Sequence, residues 1–450
     1  MRRDARRRRP ARGFRFCLLL ALAALVGCGR PATPVRRVLL VVVDTLRADH
    51  LGAYGWSRDT SPNLDRLAAE GELYRHAFAQ APWTLPAVAS ILTGQLPQVH
   101  GGGRGVRGFL YPVRPGIPIL AEELQSAGFR TGAVVNVEFL RPESGLSRGF
   151  DHYDAEYSSI NQGGRNAAET TDAALHWLDE VGTDPFFLLV HYFDPHLTYD
   201  PPVPFDTMFD DGEGPSIPPG FGSEEQVHAL RDGRLVLDES QRRSLVARYD
   251  GEIRYTDEEF GRLRREMERR DLWEDTLVIV VGDHGEEFWE HGGFEHGHSH
   301  HHEVLHVPLI LRRPSGSPSI REERVRQLDI FPTVLDAAAL EIPDDTPGLV
   351  LGDGASSRSI AAGSLWAGYL LSIRDDDGTL ILDEEADRRW FYGPDDPLEL
   401  GPQPPPAGAA DTVARLDGVL RSLPPPSRDP AWELTEEERE RLRSLGYVVD

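Results

Sequence analysis

Three apolar, β-branched runs that each break off into polar chemistry constrain this chain more than any other feature. Residues 38–43 read Val-Leu-Leu-Val-Val-Val and stop at Asp44; residues 186–190 lead into His191, Asp194 and His196; residues 276–281 deliver Asp283 and His284. A run with no polar alternation is buried on both faces, as the strands of a parallel sheet are. Helical patterns fill the intervals: 61–68, opened by Ser61 and Pro62; 86–92, with Thr84 just ahead of it; 119–127, closed by Gly128; 170–181; and one long amphipathic helix or a helix pair over 240–269. Further strands are expected over 131–137 and 307–311. The alternation predicts an α/β fold, a mostly parallel sheet flanked by helices. Ligands in such sheets bind beyond the carboxyl ends of the strands, which is where Asp44, His191, Asp283 and His284 fall. From about residue 347 the texture changes. Gly, Pro and Asp become frequent, proline runs occupy 404–406 and 424–426, and short strand-like pieces such as 368–373 appear. This predicts a small C-terminal α+β subdomain over 347–450, ending in a helix over 434–445.

The first 28 residues have another character. Eight arginines crowd positions 2–15, an apolar stretch over 16–26 is too short to span a bilayer as a mature helix, and Leu25-Val26-Gly27-Cys28 resembles a bacterial lipobox. We therefore expect a signal peptide over 1–28, lipidation at Cys28, a tether over 29–37, and an exported lipoprotein held to a lipid bilayer, in the periplasm or at the cell surface. Cys17 and Cys28 are the only cysteines, so the folded body has no disulfide or thiol chemistry. The net charge of −25, more negative still without the arginine-rich leader, excludes nucleic-acid binding through a basic face. It also means that an anion site must depend on local cations or a metal. All 48 basic residues are arginine, so no lysine can serve in such a site.

Asp44, Asp283 and His284 offer two hard oxygens and a nitrogen, a donor set suited to one divalent ion such as Mn²⁺, Zn²⁺ or Ca²⁺. Thr84 supplies a hydroxyl at a helix start, either as a metal-activated nucleophile or as an N-cap, roles that are compatible. His196 is a candidate donor to a substrate oxygen or to a leaving group. His191, directly after a strand, supports a ligand or belongs to the core. His300, His301 and His302 read as a solvated loop with chance transition-metal binding, and Trp83 as packing.

The words Asp44-Thr45-Leu46-Arg47-Ala48-Asp49-His50-Leu51-Gly52, Thr60-Ser61-Pro62-Asn63-Leu64-Asp65-Arg66-Leu67-Ala68, Thr84-Leu85-Pro86-Ala87-Val88-Ala89-Ser90-Ile91-Leu92-Thr93-Gly94, Asp194-Pro195-His196 and Gly282-Asp283-His284-Gly285-Glu286 stand in the order seen in one family. Over 38–351 the chain resembles the sulfatase family of the alkaline-phosphatase superfamily. The resemblance implies an alkaline-phosphatase-like catalytic domain over 38–346, with metal ligands Asp44, Thr84, Asp283 and His284. It implies catalytic roles for Thr84, His196 and His296, and substrate contact through His196, His296 and His298. It also implies a sulfate- or phosphate-ester substrate. Four departures stand out. Thr84 occupies the position at which sulfatases carry the Cys or Ser that becomes formylglycine; Thr45 stands where a second Asp is common; Val88 replaces the signature arginine; and the family's substrate-binding lysines are missing. Thr at the first of these positions is what phosphodiesterase and phosphoglycerol-transferase relatives use, so the residues lean towards phosphorus esters. The alternative is a noncatalytic surface lipoprotein that keeps the fold as a binding module.

Overall fold

Every side chain of β1 (Arg37–Val43) but the first is buried, because the strand is hydrogen-bonded in parallel on both sides and covered on both faces. The computed structural model to which it belongs describes residues 34–104, 110–155, 165–354, 356, 358–363, 369–401 and 410–425. The leader with Cys28, the tether up to residue 33 and the tail expected as a helix over 434–445 lie outside the described residues.

The remaining strands of the main sheet are β2 (Glu72–Phe78), β3 (Arg130–Val134), β4 (His152–Asp154), β5 (Phe186–Tyr192), β6 (Thr276–Gly282), β7 (His306–Arg312) and β8 (Ser319–Arg326). Their order across the sheet is β8-β2-β7-β6-β1-β5-β3-β4. Pairing is parallel except at β7, which runs antiparallel to both β2 and β6. The helices packed about the sheet include α1 (Pro62–Glu70), α2 (Thr84–Thr93), α3 (Leu120–Ser126), α4 (Ala167–Val181), α5 (Glu239–Arg269) and α6 (Ile330–Ala337).

Alternation along β1 sorts these helices into two layers. Val38, Leu40 and Val42 face a core shared with Leu85, Val88 and Ile91 of α2 and with α3 and α6. Leu39, Val41 and Val43 face a second core built with Leu178 of α4, Tyr249 and Leu263 of α5, and Leu67 of α1. The long pattern over 240–269 is one helix, begun by a capping box in which Asp238 accepts from the Gln241 amide and Gln241 from the Asp238 amide. Three strands of the main sheet escaped the sequence reading, the three-residue edge strand β4 among them. β2 (Glu-Leu-Tyr-Arg-His-Ala-Phe) and the edge strand β8 (Ser-Ile-Arg-Glu-Glu-Arg-Val-Arg) interrupt their apolar residues with adjacent charged ones, so neither reads as an apolar run or as a clean alternation. The strand expected over 131–137 leaves the sheet after Val134.

Beyond the main sheet, β9 (Arg358–Ala362), β10 (Leu370–Asp375), β11 (Gly378–Asp383) and β12 (Arg388–Tyr392) form an antiparallel meander. It is covered by α7 (Ala410–Arg421), whose Leu416 and Leu420 close on Leu371, Ile373, Leu380 and Leu382. The fold is thus the expected α/β sandwich with a C-terminal antiparallel-sheet subdomain.

Candidate active site

β1 and β6 run in register, Val43 opposite Gly282, so the residues that follow, Asp44 and Asp283, leave the sheet side by side. β5 flanks β1 on its other side and sets His191 opposite Val42. Thr45 then turns the chain with φ 50°, a left-handed conformation that β-branched residues rarely adopt. That turn aims the Thr45 amide at Asp283 Oδ1 (3.1 Å), which also accepts from the His284 amide (2.7 Å). Gly285 keeps the Asp283–His284 turn close to its neighbour: a Cβ there would lie 2.1 Å from the Glu303 carbonyl oxygen.

The side chains converge on His284. Its Nδ1 lies 3.0 Å from the Gly285 carbonyl oxygen and so carries the proton, which leaves Nε2 as a lone pair. Nε2 is 3.5 Å from Asp44 Oδ1, from Asp283 Oδ2 and from Thr84 Oγ1. His191 Nε2 lies 3.5 Å from Asp44 Oδ2, and ligand atoms of Asp44, His191 and Asp283 fall within 4.8 Å of one another. Thr84 is the first residue of α2; the N-cap is Trp83, so the N-cap alternative for Thr84 is corrected and its hydroxyl faces the cluster. The α2 amides at that end suit an anion.

Two further imidazoles border the cluster. The His296 ring lies 4.4 Å from that of His284 and 5.1 Å from that of His196, centroid to centroid. Glu286 Oε1 holds His296 Nδ1 at 3.0 Å, and Tyr199 donates to the other Glu286 oxygen at 2.9 Å. His196 stacks on Phe193 and donates from Nδ1 to the Leu197 carbonyl at 2.7 Å.

The electrostatics describe a place lacking a positive charge. Burial, then the charge of Glu286, pushes Asp44 well above the usual carboxylate range; the nearby Thr45 amide and Thr84 hydroxyl, neither in hydrogen-bonding geometry with it, offset this only in part. Burial and the neighbouring Asp44 do the same to Asp283. Burial drives His191 down to about 4 although Asp283 pulls the other way, and burial with His296 beside it holds His284 well below the usual imidazole range. Both oxygens of Asp44, Asp283 Oδ2 and both ring nitrogens of His191 are buried without a hydrogen-bonding protein partner. Unpaired buried groups are costly, and a cation among two carboxylates and neutral imidazoles would satisfy them together. The residues therefore fit one divalent ion among Asp44, Asp283 and His284, with His191 and the Thr84 oxygen beside it.

The structure brings Asp44, Thr84, Asp283, His284, His196 and His296 together. His298 stands apart, with Nε2 on Glu287 (2.8 Å) and Nδ1 near the His296 carbonyl (3.3 Å). Asp194 accepts from the Ala167 amide (2.6 Å) at the start of α4. Val88 is packed in the core, as is Trp83, edge-on to Phe139. The solvated-loop reading of 300–302 is corrected: His300 is fully buried and bonds Ser372 Oγ and the Gly363 carbonyl, while His302 packs on Phe78 and His306. Sequence reasoning left His191 undecided and passed over Glu286 and Asn136, whose amide donates to the His191 carbonyl. The signal for Glu286 was its place in Gly282-Asp283-His284-Gly285-Glu286; Asn136 carried none.

A protein-family model described as Sulfatase matches residues 36–340. An arylsulfatase of Clostridium perfringens is 25% identical, covering 79% of this chain and 85% of its own. Human iduronate 2-sulfatase is 24% identical over 75% of this chain and 76% of its own. Among solved structures, a phosphonate monoester hydrolase from Silicibacter pomeroyi superposes with a TM-score of 0.70 at 22% identity, over 86% of this chain and 94% of that one.

Proposed function

Because this chain belongs to the sulfatase family, and is an ester hydrolase of that kind, we propose that it cleaves or transfers sulfate or phosphate esters through the Thr84 hydroxyl, with phosphorus esters preferred. The observation that carries this reading is the position of Thr84 Oγ1, at the first turn of α2 and 3.5 Å from His284 Nε2. A formylglycine hydrate can expel sulfate by a route that a plain alcohol lacks. A threonine ester must instead be resolved by water or an acceptor alcohol attacking sulfur or phosphorus.

A divalent ion held by Asp44, Asp283 and His284 would supply the positive charge that lowers the Thr84 pKa and steadies the ester oxygens. The chain's own residues do the rest. Thr84 Oγ1 forms the bond to sulfur or phosphorus as the ester oxygen leaves, and the hydroxyl proton ends on the released alcohol. Water then cleaves the Thr84 ester and restores the hydroxyl. His296, steadied by Glu286, faces the ester oxygens. Burial holds His196 neutral, down to about 3, with its proton on Nδ1; it donates to the leaving oxygen only as the imidazolium, a form that an arriving anionic ester stabilises. His298, held by Glu287, braces the His296 backbone through its Nδ1.

We assign this chemistry to 38–346 and a supporting role to 347–450. Lipidation at Cys28 would set the enzyme on a membrane outside the cytoplasm; loss of detergent-phase partitioning in Cys28→Ala tests this. A binding module without turnover is the competing reading, favoured by the apolar Val88 in the core. Turnover of matched aryl sulfate, phosphate monoester and phosphate diester decides between them. Phosphate-ester cleavage abolished by Thr84→Ala supports the proposal, dominant sulfate cleavage reverses the phosphorus preference, and turnover unaffected by Thr84→Ala on every substrate ends it.

A further inference from the structure

The loop that carries His284, Glu286 and His296 holds a second group of ligand-type side chains, at its seam with the C-terminal subdomain. Donor atoms of His291, His301 and Glu303 lie within 4.8 Å of one another. His291 Nδ1 is 2.8 Å from Glu303 Oε1. His301 Nδ1 is buried and has no hydrogen-bonding partner.

The other nitrogen of each ring is already committed to the C-terminal subdomain. His291 Nε2 donates to the Glu399 carbonyl oxygen (2.5 Å), and His301 Nε2 meets the Tyr392 hydroxyl (2.9 Å). Glu399 is itself fixed, its carboxylate clasped by Arg374 and Thr379. An imidazole whose Nε2–H is held by an outer oxygen presents Nδ1 as a lone pair, which is how proteins orient histidine ligands towards metals. Here His301 is oriented in this way beside Glu303, and His291 Nδ1 takes the same role once the proton it shares with Glu303 leaves.

We propose that His291 Nδ1, His301 Nδ1 and Glu303 Oε1 form a second metal site, for a borderline divalent cation of the Zn²⁺ class, that clasps the catalytic loop to the C-terminal sheet. Two imidazole nitrogens and one carboxylate oxygen are the donors such ions take, and solvent water completes the coordination. The ion enters in exchange for the proton shared between His291 Nδ1 and Glu303, which passes to solvent. The two rings lie face to face, centroids 3.6 Å apart and within 4° of parallel, so one of them tilts out of the stack on binding. Because the same loop delivers His284 and His296, the clasp sets how firmly those residues are held.

The inference is independent of the Thr84 reading, and metal counting separates the two. The full chain, stripped with chelator, is loaded with Zn²⁺ or Co²⁺, and bound metal per chain is measured by mass spectrometry together with the Co²⁺ absorption spectrum. Wild type is expected to hold two ions, and His301→Gln and Glu303→Gln one each. Asp283→Asn should also hold one ion, with the Co²⁺ spectrum of the seam site alone. One ion in wild type that His301→Gln removes and Asp283→Asn keeps would support the seam site and sink the Asp44 centre. A count that neither His301→Gln nor Glu303→Gln lowers, in proteins whose far-ultraviolet circular dichroism matches wild type, overturns the proposal.

Discussion

Replacing Asp283 by Asn should invert its effect on stability according to whether metal is present. Asp283 Oδ1 accepts from two amides, and an Asn carbonyl keeps both bonds. Oδ2 is buried without a hydrogen-bonding partner and belongs to a carboxylate that faces Asp44. An amide group in its place donates to Asp44 and removes one of two crowded charges. In chelator the variant should therefore exceed wild type by about 1–3 kcal/mol, the usual cost of one unsatisfied buried polar group. With metal at about a thousand times the dissociation constant of this centre, wild type gains ~4.1 kcal/mol from it and the variant nearly nothing, while any ion at the seam site adds equally to both, so the order reverses. Urea denaturation in both conditions, read from the midpoint at constant slope, measures this. An Asp283→Asn protein less stable than wild type in chelator would refute the reasoning, because the pair would then need no cation to offset its repulsion.

Three further outcomes follow from individual residues. Burial holds His100 and His300 down to about 3, so below pH 6.5 the unfolded chain takes up protons that the folded chain refuses. Stability should be intact above that pH and fall as pH drops towards 3, by about 1.4 kcal/mol per group at about pH 5.5, and His100→Gln should flatten the urea-midpoint profile. Leu416→Ala empties a fully buried position between α7 and the meander and should cost about 2–5 kcal/mol, seen as earlier proteolysis of the C-terminal subdomain. His191→Gln should weaken Zn²⁺ binding at the Asp44 centre more than Ca²⁺ binding, measured by competition titration, because it exchanges a nitrogen donor for an oxygen.

What the sequence discloses follows from which signals are local. The strands β1, β5 and β6 announce themselves as unbroken apolar runs, and the residues behind them fall at the sheet's carboxyl edge, so Asp44, Asp283 and His284 were identifiable at once. β2 and β8 were not, because Arg75, His76 and the charges of Ile320-Arg321-Glu322-Glu323 interrupt their apolar residues. His191 could not be resolved between core and ligand, since that depends on which strand lies beside β1. The burial of His300 depends on a meander some sixty residues later in the chain, which no local pattern reveals.

The central claim is that Thr84 forms a covalent bond to the group being transferred. Rapid acid quench of the metal-loaded enzyme during turnover of an aryl phosphate, followed by peptide mass spectrometry, tests it directly. The account predicts phosphate on the Thr84 peptide, present during turnover and missing in Thr84→Ala. Steady turnover with an unmodified Thr84 peptide at every quench time, together with product formation by Thr84→Ala, would contradict it.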